Sequence, residues 1–164
     1  MLSKITHDPA SPEKVLRATR LIFVAIISGM ILFMLVSLFI NQSAGPLSLS
    51  LKEEGNWPAW IVGIISGAGF IWGRRLFQAT LKTAKDSLKP LEEKLKDHRS
   101  ALVRYLLIGD IILVLNSVFF LLVGDFIYQM YAAIIVGAML AVTPLKRRLI
   151  SQLELDASEQ TKIT

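Results

Sequence analysis

"LVRYLLIGDIILVLNSVFFLLVGDFIYQMYAAIIVGAMLAVTPL", residues 102 to 145, holds two apolar runs, with Gly124-Asp125 as the only plausible turn between them. The runs, Leu102 to Val123 and Phe126 to Leu145, are each roughly 20 residues long. That length crosses ~30 Å of hydrocarbon at ~1.5 Å per residue. Two helices joined so tightly must be antiparallel neighbours. Working outward, two more runs precede them. Leu21 to Ile40 is long enough to span, and longer than the roughly 7–15 apolar residues of a secretory signal, so it reads as a retained helix. Trp57 to about residue 76 is less apolar, and its Trp57, Trp60 and Trp72 read as interface anchors. The expected fold is all-α: an integral membrane four-helix bundle, one multi-pass domain over residues 1–164 with spans about 21–40, 57–76, 102–123 and 126–145.

Composition agrees. Of the 164 residues, 53% are hydrophobic and 19% charged, with a mean hydropathy of +0.54, too apolar for an ordinary soluble domain of this size. The net charge of +5 does not point to nucleic acid, because the basic residues flank apolar runs instead of lining a soluble face. The chain has no cysteine, hence no disulfide, thiolate metal site or Cys nucleophile. Its two histidines, His7 and His98, lack a metal-ligand spacing. No phosphate-binding loop, metalloprotease motif, nucleophile elbow or dinucleotide fingerprint is present, so no catalytic, cofactor or metal residue is assigned.

Lysine and arginine choose the side of the membrane, since cytoplasmic flanks retain positive charge. They cluster before the first run (Arg17, Arg20), around the second connector (Arg74 to Arg104) and after the fourth run (Lys146, Arg147, Arg148), whereas Lys52 stands alone among the acids of the first connector. Both termini, residues 1–20 and 146–164, and the middle connector are therefore expected in the cytoplasm, with the bacterial inner membrane as the location. "SPEK", residues 11–14, carries a helix-start pattern of Ser, Pro and acid. Phe77, Leu81, Ala84, Leu88, Leu91, Leu95, His98 and Leu102 alternate in spacings of four and three, the seam of a coiled coil interrupted by Pro90. Spans 2 and 3 should thus extend into a cytoplasmic helical hairpin over about 77–101; a flat amphipathic helix on the membrane surface is the competing arrangement. Leu145, Leu149 and Leu153 suggest a short surface helix after Pro144.

In lipid, helices associate through small residues and a few polar contacts. Gly29, Gly63, Gly67 and Gly137 stand out as packing positions. Extending the seam backward points Gly63, Gly67, Phe70 and Arg74 toward the third helix, and on that third helix it sets Gly109 opposite the second. Asp110 is the one acid inside a span. An ionised carboxylate at mid-bilayer costs on the order of 3 kcal/mol, somewhat less near the surface. It needs a partner or a proton, and three surroundings suit it: a pair with Arg74 or Arg75, an ion or proton site, or exposure to headgroups. With Asn116 and Ser117 it forms a candidate intramembrane polar site, although an Asn and a Ser there also serve simple hydrogen bonding between helices.

"LRATRLIFVAIISGMILF" (16–33), "EKLKDHRSALVRYLLIGD" (93–110), the "LLVGDF" turn and "PLKRRLISQLEL" (144–155) resemble a family of small, uncharacterised four-span proteins of the bacterial inner membrane. The resemblance covers both ends and spans 3 and 4. Where that family tends to read Leu-Glu-Gly, this chain has Ile108-Gly109-Asp110, with the acid displaced by one position. The resemblance implies a multi-pass membrane protein and no activity. The functional expectation is a non-enzymatic accessory or interaction protein that docks a protein partner or another copy through the 77–102 hairpin. The alternative is an oligomeric transporter or channel subunit for a small ion or solute, using Asp110.

Overall fold

The computed structural model describes residues 12–48, 55–85 and 91–144. The start signal at Ser11, the Pro90 interruption and the surface helix after Pro144 lie outside the described residues. Four α-helices follow one another: α1 (Pro12–Ala44), α2 (Trp57–Lys85), α3 (Leu91–Val123) and α4 (Phe126–Leu140). Among the described residues, prolines stand only where a helix tolerates them, Pro12 and Pro58 falling in first turns whose N–H groups have no intrahelical partner. At ~1.5 Å per residue α1 and α3 are ~50 Å long and α2 ~44 Å, all longer than hydrocarbon is thick.

Two helices, over Lys14–Ala44 and Glu93–Val123, are long and apolar enough to cross a membrane, with mean hydropathies of 2.8 and 2.6 over an 18-residue window of each. Helix α2 is diluted by its three tryptophans and four glycines. Helix α4 stops at Leu140 instead of the expected Leu145, so its 15 residues reach only ~22 Å. The stop has local causes. Val142 and Thr143 donate their N–H groups to Met139 and Leu140, tightening the last turn, and the Thr143 hydroxyl donates to Leu140 as well. Pro144 then disfavours helical geometry in the residue before it.

Helix α3 is the hub, packing against α1, α2 and α4, while α4 makes smaller contacts with α1 and α2. The main core joins Phe23, Ile27 and Met30 of α1, Phe77 of α2, Leu102, Leu106 and Leu113 of α3, and Ile135 and Met139 of α4. At one end the seam continues: Ala84, Leu91 and Leu95 close on Val15 and Leu16 of α1. The hairpin apolar stripe is thereby consumed within the chain, and α1 is its third member. Phe77 bridges the two levels, its ring 5.4 Å from Tyr105 and 6.1 Å from His98.

The face that α2 turns to α3 is one residue out of register with the backward extension of the seam. Ser66, Gly69, Gly73 and Phe77 meet α3, with Ile112 packed over Gly69 and Ile108 over Gly73, whereas Gly67 and Arg74 point outward. Counted at ~100° per residue from Phe77, Ser66 and Gly73 fall within ~40° on one side, whereas Arg74 and Gly67 fall ~60° and ~80° to the other, so a modest rotation of α2 turns the first pair inward and the second outward. Phe70, ~20° from Phe77, meets α3 as expected, its ring 6.0 Å from Tyr105. Gly109 is likewise corrected: it lies against Met139 and Ile135 of α4, not against α2.

The opposite end is closed by hydrogen bonds to the last turn of α3. Gly124, at φ +75°, terminates α3 in the left-handed region and donates its N–H to Phe120 at 2.8 Å. Asn41 of α1 donates to the same carbonyl at 2.9 Å, and the backbone N–H groups of Leu47 and Ser48 reach Leu121 and Leu122, both at 2.9 Å. The carbonyls of Leu121 and Leu122, which a helix end leaves without partners, are thus satisfied by the chain after α1, and Phe120 gains a second donor from α1 itself. Asp125 starts α4 as its N-cap, accepting from the Ile127 N–H at 3.0 Å.

Candidate functional site

Polar side chains sit inside this protein. Ser37 of α1, Ser66 of α2, Asn116 and Ser117 of α3 and Gln129 of α4 are all less than 5% exposed. Asn116 Nδ2 donates to Ser66 Oγ at 2.8 Å and to the Ile112 carbonyl at 2.8 Å, tying α3 to α2. Gln129 Nε2 donates to Ser37 Oγ at 2.6 Å, and that hydroxyl donates to the Met34 carbonyl at 2.8 Å, tying α4 to α1. The Asn41–Phe120 hydrogen bond sets the register of α1 on α3, four residues on from Ser37 and four on from Asn116. The two polar pairs therefore lie at nearly one level, and all four helices contribute to it. That level is about seven residues, or ~10 Å, below the end of α3.

Three oxygens in this layer have no hydrogen-bond partner among the described residues: Asn116 Oδ1, Ser117 Oγ and Gln129 Oε1. Each amide directs its N–H group at a fixed acceptor and leaves its carbonyl oxygen over. Interhelical hydrogen bonds of this kind contribute of order 0.6 kcal/mol each in lipid. Ser37 and Gln129 were not expected to take part. Their signal is a lone polar letter inside an apolar run, as in "LVSLFI" and "FIYQMY".

Asp110 stands apart from this layer and from Arg74. Ile108 and Ile112 face α2, and Asp110, two residues from each, is turned ~200° away on the helical wheel. Arg74 and Arg75 are exposed, Asp110 is half-buried, and among the described residues Asp110 makes no ion pair or hydrogen bond. The Arg74–Asp110 pair is thus replaced by separation onto different flanks. No group of three His, Cys, Asp or Glu side chains suited to a metal ion occurs among the described residues.

Of the packing glycines read from the sequence, Gly63 meets a neighbour: a methyl group there would lie 3.0 Å from the Tyr131 hydroxyl of α4. Gly29, Gly67 and Gly137 face open space, while Gly69, Gly73 and Gly109 carry the close approaches. Compared with protein-family models, curated proteins and solved structures, the chain shows no significant match.

Proposed function

We propose that the chain is a four-span integral protein of a bacterial cytoplasmic membrane, with both termini inside, and that it acts as a non-enzymatic accessory protein. The observation that carries this reading is an inversion of the usual burial pattern. Each helix exposes large apolar side chains, among them Leu32 and Phe39 of α1, Trp60 and Ile64 of α2, Ile111 of α3 and Ile134 of α4, while amides and hydroxyls are buried. A soluble monomer rarely exposes an apolar patch beyond a few hundred Å². The apolar window of α1 is only 22% buried, whereas the core helix of a soluble protein is mostly covered. Hydrocarbon as the outer solvent removes the cost of this surface. The short α4 is accommodated by local thinning of the bilayer or by tilt of its longer neighbours.

The hairpin beyond the membrane is the docking element of this reading. Leu91 and Leu95 are occupied by Val15 and Leu16 of α1, so a partner meets the outer, charged face, where Lys82 and Glu93 are exposed. Since the chain lacks cysteine, single cysteines report cleanly on sidedness. In intact cells a membrane-impermeant maleimide is expected to label Gln42→Cys, and to label Lys82→Cys only after lysis. Equal labelling of both would refute the four-span topology. Crosslinking through Lys82→Cys and Glu93→Cys in native membranes is expected to trap one partner or a second copy; a chain that stays alone there argues against docking.

A second reading, a subunit of an oligomeric transporter or channel for a small ion or solute, is favoured by the half-buried, unpaired Asp110 and by the three unpartnered oxygens near Asn116 and Ser117. A lone acid within a span is a functional candidate for physical reasons. Under this reading Asp110→Asn abolishes a flux while the melting temperature in detergent is kept. Unchanged flux in the stable variant removes it.

A further inference from the structure

Helix α3 displays an uninterrupted exposed stripe that changes character along its length. Lys96, Ser100, Arg104, Leu107, Ile111 and Val114 follow one another in steps of four and three, and every one is exposed. Its first part is cationic and its remainder aliphatic. Arg99 and Val103 flank the cationic part, and Lys96, Arg99, Ser100, Val103 and Arg104 together line an open depression of about 400 Å³. No carboxylate lines it; Glu93 stands one turn farther toward the hairpin tip. Among the described residues none of the three cations makes an ion pair or hydrogen bond, so their donors are available to a ligand.

We infer that this stripe is a binding site for one anionic phospholipid, the phosphate held among Lys96, Arg99 and Arg104 and an acyl chain lying along Leu107, Ile111 and Val114. The inference rests on the membrane reading above and adds a ligand to it. Two guanidinium forks and an ammonium suit the several oxygens of a phosphodiester. Ser100 adds a hydroxyl donor at the same level. From Lys96 to Arg104 the rise is ~12 Å and from Arg104 to Val114 ~15 Å, matching a headgroup layer above half of a ~30 Å hydrocarbon core. A zwitterionic lipid offers the same phosphate, but its ammonium group meets three fixed cations, which sets the preference. The apolar continuation below the cations distinguishes a lipid from a soluble phosphate, which would have no use for it.

The test is native mass spectrometry of the full chain released from neutral detergent, after equilibration with equal amounts of phosphatidylglycerol and phosphatidylcholine of identical acyl chains. The wild type is expected to retain phosphatidylglycerol in about tenfold excess, the scale set by a few juxtamembrane charges. Lys96→Gln/Arg99→Gln/Arg104→Gln should bring the two lipids to near parity. Arg74→Gln/Arg75→Gln/Lys82→Gln removes as much charge from exposed positions of α2 and should keep the preference. Melting temperatures in the same detergent report folding. Should the triple variant not fold, Lys96→Gln alone, at an exposed position, is expected to lose about a third or more of the preference. The site is overturned by a wild type without preference, by an α2 control that loses as much as the α3 variant, or by excess inorganic phosphate stripping the bound lipid. Release of the chain from membranes by alkaline carbonate would instead refute the spans themselves, whichever lipids copurify.

Discussion

Ile134→Arg is expected to cost about 3 kcal/mol and to strip α4 from the membrane in a large fraction of molecules. Ile134 is 65% exposed and stands one residue past the middle of the 15-residue α4. In water, a polar substitution at so open a position changes stability by only about ±0.5 kcal/mol. In hydrocarbon, an arginine at the centre of a helix costs roughly 2.5–3.5 kcal/mol, and a helix of ~22 Å has few apolar residues to offset it. The two solvents therefore predict effects that differ several-fold at one site. The measurement is the carbonate-resistant fraction of the variant, together with protease accessibility of Asp125 and its neighbours. Thr83→Arg, at an exposed position of the hairpin, serves as the control and should behave as wild type. If Ile134→Arg inserts and melts like the parent, the apolar surface faces something other than lipid.

Gly109→Leu is the second large effect. Gly109 of α3 makes room for Met139 of α4: a Cβ there would overlap the Sδ and Cε atoms of Met139 and lie 3.6 Å from Ile135 Cγ2. Met139 is 0% exposed and Ile135 5%, so the flexible end of the thioether has to re-pack within the core to make room for the new side chain. Overpacking of this kind costs about 1–3 kcal/mol, and a whole leucine falls at or beyond the upper end. Met139→Ala alone should cost about 2–4 kcal/mol by opening a cavity. The double variant exchanges the two volumes and should recover at least ~1 kcal/mol relative to the sum, a coupling that thermal melts in detergent can read. Gly67→Leu provides the contrast. Nothing lies within 4 Å of a Cβ at Gly67, so this variant is expected to melt within a degree or two of wild type. Additive losses at Gly109 and Met139 would show that the two helices do not meet there.

The contrast between Gly67 and Gly109 marks where the letters stop being sufficient. A GxxxG spacing announces a smooth face but not the direction it points. Gly63, Gly67, Gly29 and Gly137 share the same chemistry, yet only Gly63 has a neighbour, the Tyr131 ring. Rotation of a helix about its axis is set by the sum of its contacts, and a seam of alternating four- and three-residue steps does not say which of two neighbours, such as Gly73 and Arg74, takes the inward side. The pair with Arg74, one of three surroundings open to Asp110, is not formed for a related reason: depth along the axis matches, but azimuth does not. Asn116 and Ser117 were legible because an amide and a hydroxyl stand out in an aliphatic run. Ser37 and Gln129 carry the same signal, but their pairing was not legible, because a hydrogen bond from α4 to α1 joins residues 92 positions apart and leaves no local trace of the partner.

Residue order alone determined that the chain is helical and where its apolar helices begin and end at the Gly124-Asp125 turn. It also located the seam that prolongs α2 and α3 into a hairpin. These are properties of a short window, in which hydrophobic period, turn chemistry and capping residues act on their own neighbours. Tertiary structure alone decided that α3 is the hub, that Ser66 and Gly73 rather than Gly67 and Arg74 face it, and that α1 closes the hairpin leucines. It also decided that Asp110 looks away from the arginines and that five polar side chains share one buried level. Each of these depends on how helices rotate and slide against one another, a balance of many weak contacts between segments far apart in the chain, which no single window of sequence contains.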